Sequence, residues 1–248
     1  MIVSSIKSFG RYCLFMTQVF RIPEKMREFF KSLINEIYKL GVDSIPLVII
    51  ISLFIGAVIC IQMTINIVSP LIPSYSTGLA TREILILEFS STMMCLILAG
   101  KVGSNIASEI GTMRVTEQID AIEIMGLNSA SYIVLPKIVG FVIFVPVLYI
   151  LSLFMGLVGG GLIAEFTDML TYDNYLYGIQ SFFTEWYIWY SMIKTIVFAF
   201  IITSVASYYG YYVNGGSLEV GKASTNAVVS SSILILLADV ILTKLLLQ

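Results

Sequence analysis

Hydrophobic positions along this chain neither alternate nor keep to one helical face; over most of the sequence they fuse into runs. Five such runs, at about 45–69, 84–108, 132–164, 186–209 and 225–246, are each long enough to cross a bilayer as a helix, which takes about 20 residues. The third is long enough to tilt or bend, with Pro146 as its kink point. The first 44 residues are patterned differently. There, apolar residues alternate with Lys7, Arg11, Arg21, Lys25, Arg27, Lys31 and Lys39. This predicts an amphipathic helix lying in the membrane interface and broken at Pro23; a cytosolic helical tail is the alternative. No internal repeat, low-complexity linker or soluble domain interrupts the runs. The pattern predicts an all-α integral membrane protein, with an interfacial segment over 1–44 and one five-span membrane domain over 45–248.

Composition agrees. Hydrophobic residues make up 58% of the chain and charged ones 12%, against roughly 45–50% and about 25% in a soluble domain. The net charge of −2, with no basic stripe, points away from a nucleic-acid partner. With no His in the chain, a Cys/His metal site and the usual catalytic triads are excluded. Cys13, Cys60 and Cys95 stand apart with no CxxC spacing and read as packing residues. No cofactor and no cleavable signal peptide are expected. Seven of the fourteen basic residues precede the first run, whereas the segment 165–185 holds four acids and no base. That asymmetry predicts a cytoplasmic N-terminus and, after five crossings, an external C-terminus. Trp186, Tyr187, Trp189 and Tyr190 then form an outer aromatic belt, and Tyr208, Tyr209, Tyr211 and Tyr212 an inner one.

Three constellations could carry function. The segment GTMRVTEQIDAIEIMGLN, 111–128, concentrates Arg114, Glu117, Asp120 and Glu123 between two apolar runs. Val115, Ile119, Ile122 and Met125 share one face of a helix there and the acids another, which suits docking into a groove of a soluble partner. A helix resting on the membrane with its acids solvated is the alternative. Just before it, Ala99, Gly103, Ala107 and Gly111 repeat every fourth residue, with Gly100, Ser104, Ser108 and Thr112 alongside. Two such stripes form a flat face for close helix packing, within the chain or between two copies. Finally, Glu88, Lys194 and Asp239 lie inside apolar runs. Each is costly if left alone in hydrocarbon, so they are expected to meet, with Lys194 bridging one or both carboxylates. They would either line a substrate path or serve as a buried ion cluster. GSLEVGKA, 216–223, nearly matches a phosphate-binding loop, but Ala223 replaces the metal-binding hydroxyl and no strand precedes it, so nucleotide binding is rejected.

Residues 99–128, AGKVGSNIASEIGTMRVTEQIDAIEIMGLN, resemble the signature of MlaE-type permeases, the membrane subunits of ABC transporters that move phospholipids or related lipids with an MCE-domain partner. The likeness continues in LPK at 135–137, IKTIVFA at 193–199, GGSLEVGKASTNAVVSS at 215–231 and ADVILT at 238–243. It implies an N-terminal elbow helix and five transmembrane helices working as a homodimer in a bacterial inner membrane. It also implies that 113–126 is the coupling helix docking in a cleft of a separate ATPase. The lipid cavity would form at the dimer interface and open towards a periplasmic MCE-domain protein. Glu88, Lys194 and Asp239 match polar positions of the family pattern. The chain departs from that pattern at 87–91, where LEFSS stands in place of Arg-Glu-Leu-Gly-Pro, and at Ser129, where Pro is usual. The expected function is that of a non-catalytic lipid permease subunit. The alternatives are an ATP-independent transporter or channel relaying ions through Glu88, Lys194 and Asp239, and an assembly scaffold.

Overall fold

The computed structural model describes residues 2–21, 26–67, 72–167 and 170–247, and every regular element among them is helical. The break expected at Pro23 and the end of the first run at 69 lie outside the described residues. Helix α1 (Ile2–Val19) is followed by α2 (Met26–Glu36), which continues through a π-helical turn at Ile37–Gly41 and a 3-10 turn at Val42–Ser44 into α3 (Ile45–Asn66). The change from basic-rich to apolar sequence thus falls inside one helical run. Pro46 has no N–H to donate, and the irregular turns sit at its N-terminal side. The second run is likewise continuous: α4 (Ser76–Ile84), a π-helix at Leu85–Met93, α5 (Met94–Leu98), a second π-turn at Ala99–Gly103 and α6 (Ser104–Val115). A short α7 (Gln118–Ile124), the long α8 (Ser129–Phe166), a short α9 (Tyr172–Gln180), α10 (Glu185–Tyr211) and α11 (Ser217–Leu247) complete the described chain. Neither Pro136 nor Pro146 ends α8. Five helical stretches, 26–66, 76–115, 129–166, 185–211 and 217–247, are long and apolar enough to cross a membrane. The protein is an all-α, multi-pass membrane protein.

The described residues gather into two compact units, each drawn from three stretches of chain. In the first, from 1–42, 96–144 and 197–238, the core is formed by Phe15, Val19, Leu98, Ile106, Ile110, Phe141, Phe198 and Ile202. Helix α1 joins it through Phe15, whose ring meets Tyr208, Tyr211 and Tyr212 at centroid distances of 5.1–6.0 Å, and through Tyr12, which donates to Ser204 Oγ at 2.8 Å. Leu14 and Phe20 stay exposed. Helix α1 therefore buries one apolar face in protein and keeps an apolar flank outside it. Tyr211 is buried against α1 and is a packing residue there. The small-residue face receives helices of the same chain. Gly103 faces Ile202 and Ala206, Gly210 approaches the Ala107 backbone, and Gly111 lies against Val213 and Val220. On the neighbouring stripe, Ser108 Oγ meets Ser224 Oγ at 2.6 Å, and Ser224 donates to the Ser104 carbonyl at 3.0 Å.

The second unit comes from 43–95, 145–196 and 239–248. Here α3 and α8 touch backbone to backbone. A Cβ at Gly56 would strike the Gly156 carbonyl, and one at Gly159 the Leu53 carbonyl. Such approach is possible only between glycine surfaces. Beside the crossing, Ser52 donates to Ser152 at 2.8 Å. Helices α4 and α9 repeat the device, with Gly78 against the Tyr175 carbonyl and Gly178 against that of Tyr75. Tyr175 is buried and donates to the Leu157 carbonyl at 2.9 Å; burial pushes its phenol well above the ordinary value. Buried Arg82 caps the C-terminal end of α9, donating to the carbonyls of Ile179, Ser181 and Phe182 at 2.6, 2.8 and 3.3 Å and pairing with Glu83 at 2.6 Å. A guanidinium is well suited to the negative end of a helix dipole and its unpaired carbonyls.

Candidate functional site

The intramembrane charges come together in the second unit. Lys194, on α10, is fully buried and has three protons to place. Its Nζ lies 2.5 Å from Asp239 Oδ1 on α11, 3.1 Å from the Leu87 carbonyl and 3.5 Å from Glu88 Oε1. The ammonium also sits 5.0 Å from the Tyr190 ring centroid, within cation–π range. The Leu87 carbonyl lies in the π-helical stretch 85–93 and also accepts from Ser91 Oγ at 3.0 Å. The Ile86 carbonyl in the same turn accepts from Ser191 at 2.7 Å. Thr92 Oγ1 stands 3.2 Å from both Glu88 Oε2 and Asp239 Oδ1, so its one proton serves one carboxylate at a time. One cation facing two carboxylates leaves the set with an excess negative charge when both are ionised. Lys194 and Asp239 are enclosed, whereas half of the Glu88 side chain is exposed. The set offers no activated nucleophile. It can hold fixed charge in an apolar setting and present part of it, through Glu88, to whatever lies against the helix.

In the segment 111–128 the structure departs from a single helix over 113–126. Helix α6 ends at Val115, and Glu117 adopts a left-handed conformation with φ of 59° before α7 begins at Gln118. A non-glycine residue there is uncommon, and sequence periodicity could not signal it. Of the apolar stripe, Ile119 is buried and Met125 exposed, and Ile124 is exposed as well. Arg114 and Asp120 pair across the break at 2.6 Å. Glu123 accepts from Ser129 Oγ at 2.7 Å and from Tyr211 at 3.0 Å. Glu117 is exposed. Gly126, with φ of 81°, closes α7 in a Schellman turn, Leu127 N–H donating to the Ile122 carbonyl and Gly126 N–H to that of Glu123. The near-miss phosphate loop at 216–223 forms the first turns of α11, where exposed Lys222 pairs with Glu219 at 2.6 Å.

Sequence reasoning missed a second buried charge network, in the first unit. Lys137 on α8 donates to Glu36 Oε1 at 2.6 Å and Glu109 Oε2 at 2.8 Å, and Glu109 also pairs with Lys39 at 2.8 Å. It ties the α2 end, α6 and α8 together. The signal was present: Lys137 lies inside the third apolar run, where a charge requires a partner. Lys101, inside the second run, lies exposed in the Ala99–Gly103 turn. Among the described residues no three His, Cys, Asp or Glu side chains are grouped so as to hold a metal.

A profile of the family described as Permease MlaE matches residues 33–245, a range that contains both charge networks and α7. A probable ABC transporter permease protein of Rickettsia bellii is 34% identical over 245 residues, covering 96% of this chain and 92% of that protein. The intermembrane phospholipid transport system permease protein MlaE of Haemophilus influenzae is 29% identical over 222 residues, covering 89% and 85%. The chloroplastic protein trigalactosyldiacylglycerol 1 of Arabidopsis thaliana is 26% identical over 219 residues, covering 88% of this chain and 62% of its own length.

Proposed function

Because the chain belongs to the MlaE permease family, we propose that it is the membrane-spanning permease subunit of an ABC-type phospholipid transporter of the bacterial inner membrane. In this reading residues 1–44 form an interfacial segment and 45–248 the permease domain, with the N-terminus cytoplasmic and the C-terminus periplasmic. A separate ATPase docks on 113–126, where Arg114, Glu117, Asp120 and Glu123 lie, and an MCE-domain protein receives or delivers lipid on the periplasmic side. The permease performs no chemistry on the lipid. It supplies an apolar path, and hydrolysis in the partner changes access to that path.

The observation that carries this reading is the buried Lys194 with its two carboxylates, set within a family match that spans nearly the whole chain. Fixed charge is too costly in hydrocarbon to keep without a partner. The half-exposed Glu88 gives the set a polar outlet where a headgroup could pass. Two copies of the chain would complete the path. Helix α11 is the least buried of the five spans and exposes Ile233, Leu237, Val240 and Ile241, an apolar face for a second copy to cover.

The same charges could instead relay ions without ATP, and one experiment separates the two. The full chain is reconstituted in liposomes with and without its ATPase, and transfer of a fluorescent phospholipid is followed. Transfer that requires both the ATPase and ATP is expected. Equal transfer without either would overturn the proposal in favour of an ion-driven transporter.

A further inference from the structure

Glu123, Ser129 and Tyr211 join three helices at one point. Glu123 lies near the C-terminal end of α7, Ser129 is the first residue of α8, and Tyr211 the last of α10. Their polar atoms form a closed triangle: Ser129 Oγ to Glu123 Oε1 at 2.7 Å, Tyr211 Oη to the same oxygen at 3.0 Å, and Ser129 Oγ to Tyr211 Oη at 2.7 Å. Two hydroxyl protons serve these three contacts, so one carboxylate oxygen anchors both hydroxyls. Ser129 and Tyr211 are buried, and the exposed Glu123 reaches in to them. The neighbouring turn is held as well. Asn128 Nδ2 donates to the Gln18 carbonyl at 2.9 Å and Ser131 Oγ to the Arg21 carbonyl at 2.7 Å. Phe15 of α1 packs on the Tyr211 ring at 5.1 Å.

By contrast, α7 is not a rigid extension of α6. The helix breaks at Thr116–Glu117, and the break is crossed by the Arg114–Asp120 pair, a hydrogen bond from Gln118 Nε2 to Thr116 Oγ1 at 3.0 Å and backbone turns. Helix α7 thus meets α6 across a backbone break and meets α8 and α10 through the side chains of the triangle.

We propose that Glu123 is a positioning residue that transmits movement of α7 to α8 and α10 through Ser129 and Tyr211, rather than a charge that faces the ATPase. This rests on the proposed function, in which the ATPase docks on 113–126. The test uses the full transporter in liposomes and reads three quantities: ATPase co-purified, ATP hydrolysed and lipid moved. Tyr211→Phe keeps the ring against Phe15 and removes only the hydroxyl. It is expected to retain the ATPase and its hydrolysis while lipid moved per ATP falls roughly tenfold, as loss of one buried hydrogen bond sets. Glu123→Gln keeps an accepting oxygen and is expected to retain most of the coupling, whereas Glu123→Leu is expected to lose it. The opposite pattern, with Tyr211→Phe silent and Glu123→Gln releasing the ATPase, would make Glu123 a docking charge and overturn the proposal. If the unmodified chain bound no ATPase, the proposed function itself would fail, an outcome readily told apart from either.

Discussion

At Lys194 the fold answers each proton of a buried ammonium with an oxygen: a carboxylate from α11, a second carboxylate from 85–93, and the Leu87 carbonyl of the same stretch. Removing the lysine alone leaves two carboxylates without their cation, a change that costs about 3–5 kcal/mol when a buried pair is broken. Lys194→Met is therefore expected to lower the thermal midpoint of the detergent-solubilised chain markedly. Adding Glu88→Gln and Asp239→Asn should restore most of that midpoint without restoring lipid transfer. A triple variant that transported at the native rate would reduce the set to a helix fastener. Charges inside apolar runs were legible in the sequence because the cost of burying them demands partners. Which partners was less legible. Arg82 gives no sign in a polar stretch, yet it is buried and caps α9, and Lys137, inside the third apolar run, holds two acids from other helices.

Among the elements, the long helices followed directly from the apolar runs, while their irregularities did not. Periodicity cannot distinguish an α-turn from the wider turns at 37–41, 85–93 and 99–103, and Glu117 carries no glycine signal for its left-handed backbone. The small-residue stripes were readable as a close-packing face, and the structure supplies their neighbours. The tight crossing between α3 and α8 was not drawn from the sequence, although Gly156 and the run Gly159–Gly161 mark a small-residue face on α8. That crossing makes a sharp prediction. Gly56→Ala drives a methyl into the Gly156 carbonyl and is expected to destabilise the chain by about 1–3 kcal/mol, the usual cost of overpacking. Gly221→Ala, on α11, meets nothing within 4 Å and should be neutral or stabilise by about 0.5–1 kcal/mol through helix propensity. Thermal unfolding in one detergent compares the two, and equal behaviour would refute the close approach of α3 and α8.

On the scale of the molecule, five spans with a charged segment between the second and third were evident from patterning, and the family likeness gave that segment a purpose. The structure changes how the purpose is served. Of the four charges, Arg114 and Asp120 pair with each other, and Glu123, though exposed like Glu117, Ile124 and Met125, is also bonded to Ser129 and Tyr211. Such redistribution could not be read in advance, because it depends on Tyr211, almost ninety residues further along the chain. The central claim is that this chain is one part of a lipid-moving assembly powered by another. The most direct measurement is gentle affinity purification from native membranes, followed by mass spectrometry of the accompanying proteins and lipids. The account predicts an ATPase, an MCE-domain protein, a second copy of the chain and bound phospholipid. A folded chain that emerged alone and lipid-free would contradict it.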